Sequence, residues 1–504
     1  MKQTRRVFCN SLALTGLAVA VGGNRHAWAA ACGNARITQP RRIDAHVHLF
    51  NGTDLQISGF LKESVALEYP KFKILLNLIA GPLQTFVWAV SPTAKAELEH
   101  LIRLTSRTKA RSFGDTAFES ALVEDQEKAA TDYAEFLRKI FQRDDVRAEI
   151  SQLMNSVTRF AAPKDGASAV ELAEQVDRST GVSLFGFIKP FFAYRYANYQ
   201  QAVDRFTCHG AGQVDTFLTL MVDFDEPLAH GKRTKSPISD QTAVMSKICQ
   251  LAQGRLLALA PYCPFKDAKH NGASLKNVLE AWKRPGFVGA KMYPPMGFKL
   301  YGNGGSLDPA LDSFYRTCIK QDAAVLAHAE SSLCIHEGPC TDPGPDGWAK
   351  ALDHVYQETG KPLRVSLGHF GEPLGKADAS KVWPEAFVTL MGQPSGAQLY
   401  ADLSYASEVL DSGNDQQAIN RLSGLLKGQG NVLRERLMYG SDWFMLGLEA
   451  RWADYADRMQ ALIPRVEAAS GVNGLADRFF GGNARDWLGI GQQGSLAGKK
   501  IAEF

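Results

Sequence analysis

The sequence predicts an α/β protein, a (β/α)8 TIM-type barrel with a long, mostly helical insertion after strand 1. Three observations predict it. Eight short apolar segments recur along the 504 residues, and from the second onward they alternate with stretches whose apolar residues fall at helical spacing. Polar, metal-competent side chains end five of those segments, where barrels of this kind keep their chemistry. Between the first and second segments, from 51 to 213, the strand pattern is missing. An open doubly wound sheet is the main competitor, but no Gly-rich phosphate loop follows any of the segments.

Residues 1–31 read as an address. Lys2, Arg5 and Arg6 precede an apolar run over 11–23, and Ala27-Trp28-Ala29 and Ala29-Ala30-Ala31 offer small-residue cleavage sites. That is a secretory signal, too short for a comfortable membrane span. Thr4-Arg5-Arg6-Val7-Phe8 resembles the twin-arginine motif, which implies export of an already folded protein to the periplasm. Ala29-Ala30-Ala31-Cys32 also resembles a degraded lipobox, so lipidation at Cys32 is a second way to touch a membrane. The rest, 32–504, reads as one barrel domain. A net charge of +3 with no basic run points away from nucleic acid, and 8 Cys are too few for a disulfide scaffold.

The first strand is the stretch Arg42-Ile-Asp-Ala-His-Val-His-Leu-Phe50, ended by Asn51-Gly52. Side chains alternate faces along a strand, so His46 and His48 point the same way and make half of a divalent-metal site. Alone, the pair is a weak signal; either histidine could be a satisfied core residue. The insertion then shows helical spacing over 94–106, 115–142, 144–160 and 169–177. Two of its pieces are unusually apolar. The first, 74–90, carries Asn77, Gly81-Pro82 and Gln84, and proline breaks an isolated helix; it reads as a buried helix hairpin, with a membrane-touching lid as the alternative. The second, 184–199, is rich in Phe and Tyr and serves either as core or as a wall over the substrate.

Strands follow at 215–224, 255–262, 286–293, 323–329, 363–369, 398–404 and 436–442, with helices between or after them at 242–253, 275–283, 309–320, 346–358, 383–391, 416–426 and 448–469. Lys291 nearly ends the fourth strand, His328 ends the fifth, His369 the sixth and Asp442 the eighth. Each could be a core or capping residue by itself. Together with His46 and His48 they are hard to attribute to chance.

These segments resemble the metal-dependent amidohydrolase superfamily, in particular the branch that includes aminocarboxymuconate-semialdehyde decarboxylase and lactone hydrolases. The matching motifs are Ile43-Asp44-Ala45-His46-Val47-His48, Gly289-Ala290-Lys291-Met292-Tyr293-Pro294-Pro295, Ala327-His328-Ala329-Glu330, Leu367-Gly368-His369-Phe370-Gly371, Tyr439-Gly440-Ser441-Asp442 and Phe479-Phe480-Gly481-Gly482-Asn483-Ala484-Arg485. The resemblance covers both ends of the chain but not the insertion. It implies that His46, His48, His328 and Asp442 bind one divalent ion. Zn²⁺ suits that donor set best, and Mn²⁺ or Fe²⁺ would fit it. Such an ion supplies an activated water and polarises a carbonyl. The resemblance further implies catalytic roles for Asp442 as proton acceptor and for His369 as oxyanion stabiliser or acid. Asp44 is expected behind a ligand imidazole. Lys291 either orients an anionic substrate group, the reading favoured here, or is carbamylated and bridges a second metal.

Cys334, His336 and Cys340 lie together just past the fifth strand; a Cys334–Cys340 disulfide in an oxidising compartment, or no bond at all, is preferred to a second metal site. The expected function is an exported hydrolase of a C–N or C–O bond next to a carbonyl, acting on a small molecule, with a carboxylate on that substrate as one option. Non-oxidative decarboxylation needs the same residues and is the alternative. A surface binding protein that lost catalysis is the weaker reading, because no expected ligand is missing.

Overall fold

A computed structural model describes residues 36–156, 167–208, 214–225, 228, 232–335, 340–375 and 383–504. Residues 1–31, expected to be a signal, Cys32 and His336 lie outside those residues. Eight parallel strands follow one another around a sheet in chain order: β1 (Ile43–Val47), β2 (Thr216–Leu220), β3 (Leu256–Pro261), β4 (Phe287–Met292), β5 (Ala324–His328), β6 (Val365–Gly368), β7 (Leu399–Asp402) and β8 (Leu437–Met438). Bonds from Ala45 N to Tyr439 O (3.0 Å) and from Asp442 N to His46 O (2.7 Å), with a parallel bridge between Val47 and Trp443, carry the ring from β8 back to β1. Every strand residue is buried, which explains why the strands read as continuous apolar runs rather than alternating ones. The strands are shorter than the sequence predicts, β8 above all. There Tyr439 N turns away to bond Phe479 O (2.9 Å), and the residues up to Asp442 are loop.

Two glycines are fixed by what lies against them. A Cβ on Gly368 would sit 2.9 Å from His46 Cε1, and one on Gly440 would sit 2.8 Å from His46 Cβ. Bare backbone on β6 and after β8 is what leaves room for the His46 ring between them. A second core cluster joins Ile43, Leu257, Val288 and Leu326 to Trp487, Leu488 and Ile501 from the C-terminal helices Asn483–Leu488 and Leu496–Ala502.

Between β1 and β2 the chain is helical, with α1 (Lys73–Val90), α2 (Ala94–Thr108), α3 (Thr116–Phe141), α4 (Asp144–Asn155), α5 (Ala169–Thr180) and α6 (Arg195–Val203). Helix α1 corrects the expectation of a hairpin broken at Pro82, since it runs unbroken through that proline. Proline at 82 removes the amide that would bond the Leu78 carbonyl. Arg143 Nη1 donates to that carbonyl instead, at 3.1 Å, so the missing bond is replaced from outside the helix. One face of α1 is core (Leu75, Leu76, Ile79, Leu83, Val87), whereas Ile74 is 56% exposed. The stretch Pro70–Thr108 is long and apolar enough to cross a membrane by length and composition alone.

The apolar piece 184–199 is core. Phe191 and Phe192 are buried, and Phe191 stacks on Phe444, two residues past Asp442, with ring centres 5.6 Å apart. An antiparallel bridge between Val182 and Glu449 ties the insertion to the same loop. The insertion therefore sits on the end of the barrel that carries Asp442.

Candidate metal centre

The ends of β1, β5, β6 and β7 and the loop after β8 converge on one buried group of side chains. His46, His48 and Asp442 bring one ligand atom each within 4.8 Å of one another. Asp442 Oδ1 lies 3.6 Å from His46 Nε2 and 3.3 Å from His48 Nε2. The His46 ring centre is 5.3 Å from that of His48 and 4.7 Å from that of His369, which is 4.6 Å from that of His328. His328 and His369 form a second compact group with Glu330. The expected ligands thus share one chamber, but His328 stands in the second group rather than with His46, His48 and Asp442.

The atoms that point inward fit a cation. His46 Nε2 and Asp442 Oδ1 are buried with no hydrogen-bond partner, an arrangement that is costly unless something else satisfies them. The opposite nitrogens are held. His48 Nδ1 lies 2.9 Å from Leu220 O, which accepts its proton and leaves Nε2 with a free lone pair. His46 Nδ1 lies 3.2 Å from Asp402 Oδ1 and 3.0 Å from Ser404 Oγ. Burial, reinforced by the nearby Lys291 charge, pushes the His48 pKa down to about 3 and holds that of His46 well below its usual value. Burial likewise lowers His369 to about 4. Neutral imidazoles are what a divalent ion requires.

Asp402, at the end of β7, organises this chamber and was not among the expected site residues. Besides His46, its Oδ1 accepts from His369 N (3.2 Å), Ser404 N (3.2 Å) and Ser404 Oγ (2.5 Å). The signal that could have found it is the one that found Asp442, a carboxylate ending an apolar strand. Asp44 plays a different part from the one expected. Its Oδ1 accepts from the backbone amides of His46 (3.2 Å) and Ser441 (2.9 Å), pinning the two ligand-bearing segments together rather than supporting an imidazole. Asp442 and His369 both have left-handed backbone, at φ 55° and 66°. Such conformations in non-glycine residues are costly and gather at functional sites.

Lys291 Nζ is buried and has no hydrogen-bond partner. Burial lowers its pKa to about 8 against the opposing charges of Asp402 and Asp442. It does not line the cavity that opens onto the centre. The space there, about 730 Å³ with open solvent included, is lined in one part by His48, His328, His369 and Asp442 and in another by residues of the insertion. Past β5, Cys334 and Cys340 form a disulfide, and Cys208 is also disulfide-bonded.

Residues 270–490, less than half of the chain, match the family model described as Amidohydrolase. The matched segment contains β4 to β8 and with them Lys291, His328, His369, Asp402 and Asp442. The likeness to that family therefore covers the later part of the barrel and the residues just named. His46 and His48 lie outside the match and join it through the geometry above. Two crystal structures of an amidohydrolase from Burkholderia multivorans, one with bound HEPES and one with bound zinc, align at a TM-score of 0.36. They share 12% and 13% identity over 55% of this chain and 84% of theirs. No curated protein matches the sequence.

Proposed function

We propose that this amidohydrolase-superfamily barrel is an exported metal-dependent hydrolase that cleaves a C–N or C–O bond next to a carbonyl. The observation that carries the reading is the pair of buried, unpartnered ligand atoms on His46 and Asp442, with His48 beside them at one part of a cavity that opens to solvent. A divalent ion there, Zn²⁺ by the donor set, supplies Lewis acidity and a water of lowered pKa. His46, His48 and Asp442 hold it, and His328 is the fourth donor facing the chamber. Asp442 is placed to take a proton from the attacking water and return it to the leaving group. His369 Nδ1 donates to Ser404 O at 3.2 Å and its backbone amide to Asp402, which leaves the Nε2 lone pair of the neutral ring to accept a proton during the reaction. Two disulfide-bonded positions, Cys334–Cys340 and Cys208, support an oxidising compartment and hence export.

The mature protein, loaded in turn with Zn²⁺, Mn²⁺ and Fe²⁺, should turn over members of a panel of chromogenic esters, lactones and anilides. Activity should vanish on chelation and return with metal. Carbon dioxide release from carboxylated substrates, with no ester, lactone or amide cleaved, would replace hydrolysis by decarboxylation. Tight metal binding with no turnover of either kind would leave a binding protein.

A further inference from the structure

The cavity above the candidate metal centre is built jointly by barrel and insertion. Phe50, Leu55 and Phe60 come from the segment after β1, Phe224 and Met245 from the second β/α unit, and Met445 from the loop after Asp442. Among the described residues that line it, Arg195 is the sole lysine or arginine. Arg195 is 1% exposed and already neutralised. Its Nε donates to Asp54 Oδ2 at 2.7 Å and its Nη1 to Glu97 Oε2 at 2.7 Å; Nη2 also reaches Asp54, Asn51 and Thr53. Gln241 is occupied as well, donating to Ser236 O at 2.7 Å. Lys291, expected to meet a substrate anion, is buried and is not among the residues that line this cavity.

An anionic group entering the part remote from the metal centre would lose its hydration and meet no free lysine or arginine among the described lining residues, whereas an apolar group would gain by displacing water from the aromatic and Met side chains. We propose that the substrate carries an apolar group and no charge at the end remote from its carbonyl: a hydrophobic ester, lactone or amide, rather than an acid anchored by a side-chain cation. This inference rests on the hydrolase reading above, because it takes the carbonyl to sit at the metal end of the cavity.

Ketones test it without hydrolysis. Calorimetric titration of the metal-loaded mature protein with acetophenone, butyrophenone and hexanophenone should show Kd falling about three- to fourfold per added methylene until the cavity is full. The near-isosteric 6-oxo-6-phenylhexanoate, charged at its far end, should bind at least about tenfold more weakly than hexanophenone. A flat series, no binding by any ketone, or a keto acid that binds as tightly as hexanophenone would overturn the proposal. Phe224→Ala should flatten the chain-length dependence; if that variant does not fold, the series on the unmodified protein decides alone. Esters cleaved alongside a flat series would remove this inference and leave the hydrolase. A steep series with no turnover would do the reverse.

Discussion

Asp402 fixes the His46 ring, and with it the direction in which the unpartnered Nε2 points. Its carboxylate reaches His46 Nδ1 and the His369 amide while its own charge is kept buried. Replacing it by Asn keeps the size but removes the charge-assisted bond. Asp402→Asn should weaken metal binding about 10–100-fold, measured by competition with a chelator; an unchanged affinity would mean that Ser404 alone orients the ring. The two compact groups make a second prediction. His46→Ala, His48→Ala and Asp442→Ala should be purified without metal, whereas His369→Ala and Lys291→Met should keep one ion per chain and lose turnover. Two ions per unmodified chain, both lost in Lys291→Met, would show instead that Lys291 joins two metals. The candidate ligands were legible because histidines and carboxylates stand out at the ends of apolar strands. Asp402 was missed because the sequence around it, Asp402-Leu-Ser404, lacks a second metal-type residue to draw attention. Asp44 was misassigned because sharing a strand face with His46 says nothing about which neighbouring backbone its carboxylate will meet.

Helix α1 shows the same limit at the scale of an element. A proline within an apolar run argues for a break, yet the compensating guanidinium comes from Arg143, 65 residues from Leu78, and no local pattern reveals it. The Arg195 cluster is likewise long-range. It ties the first residue of α6 to Asp54 after β1 and to Glu97 of α2, with all three side chains at most 5% exposed. Removing the cation strands two buried carboxylates. Burial already pushes the Glu97 pKa up against the pull of Arg195. Arg195→Met should therefore cost about 3–5 kcal/mol in urea-induced unfolding, with the loss appearing as early opening of the insertion in hydrogen exchange. A loss below about 1 kcal/mol would mean that Met packing or proton uptake by Glu97 and Asp54 replaces the ion pairs. By contrast, α2, α3 and α5 needed no such partners to be read. Their apolar residues repeat at helical spacing, and their observed bounds lie within three residues of the expected ones.

For the whole molecule, the ring of eight strands was legible because a buried parallel sheet forces each strand to be apolar throughout, and the helices between strands repeat that signal. The position of the insertion was not, since its docking onto the Asp442 loop depends on contacts such as Phe191 on Phe444, between residues distant in sequence. That docking bears on how the protein reaches its place of work. A metal centre roofed by a packed insertion is best assembled where metal supply is controlled and then moved as a folded unit. In the proposed export, the Arg5-Arg6 pair would supply the address for that route. The Cys334–Cys340 disulfide next to His328 would then form on arrival in the oxidising compartment. Replacing Arg5 and Arg6 by lysine should leave the protein in the cytoplasm, folded and able to bind metal, with Cys334 and Cys340 open to alkylation. The unmodified protein should be periplasmic, begin between residues 30 and 32, and resist alkylation at both positions until reduced. Cell fractionation with mass spectrometry of the N-terminus and of the 334–340 peptide reads all three. Undiminished export of the lysine variant would point to a route that carries unfolded chains, and the metal would then have to be acquired outside.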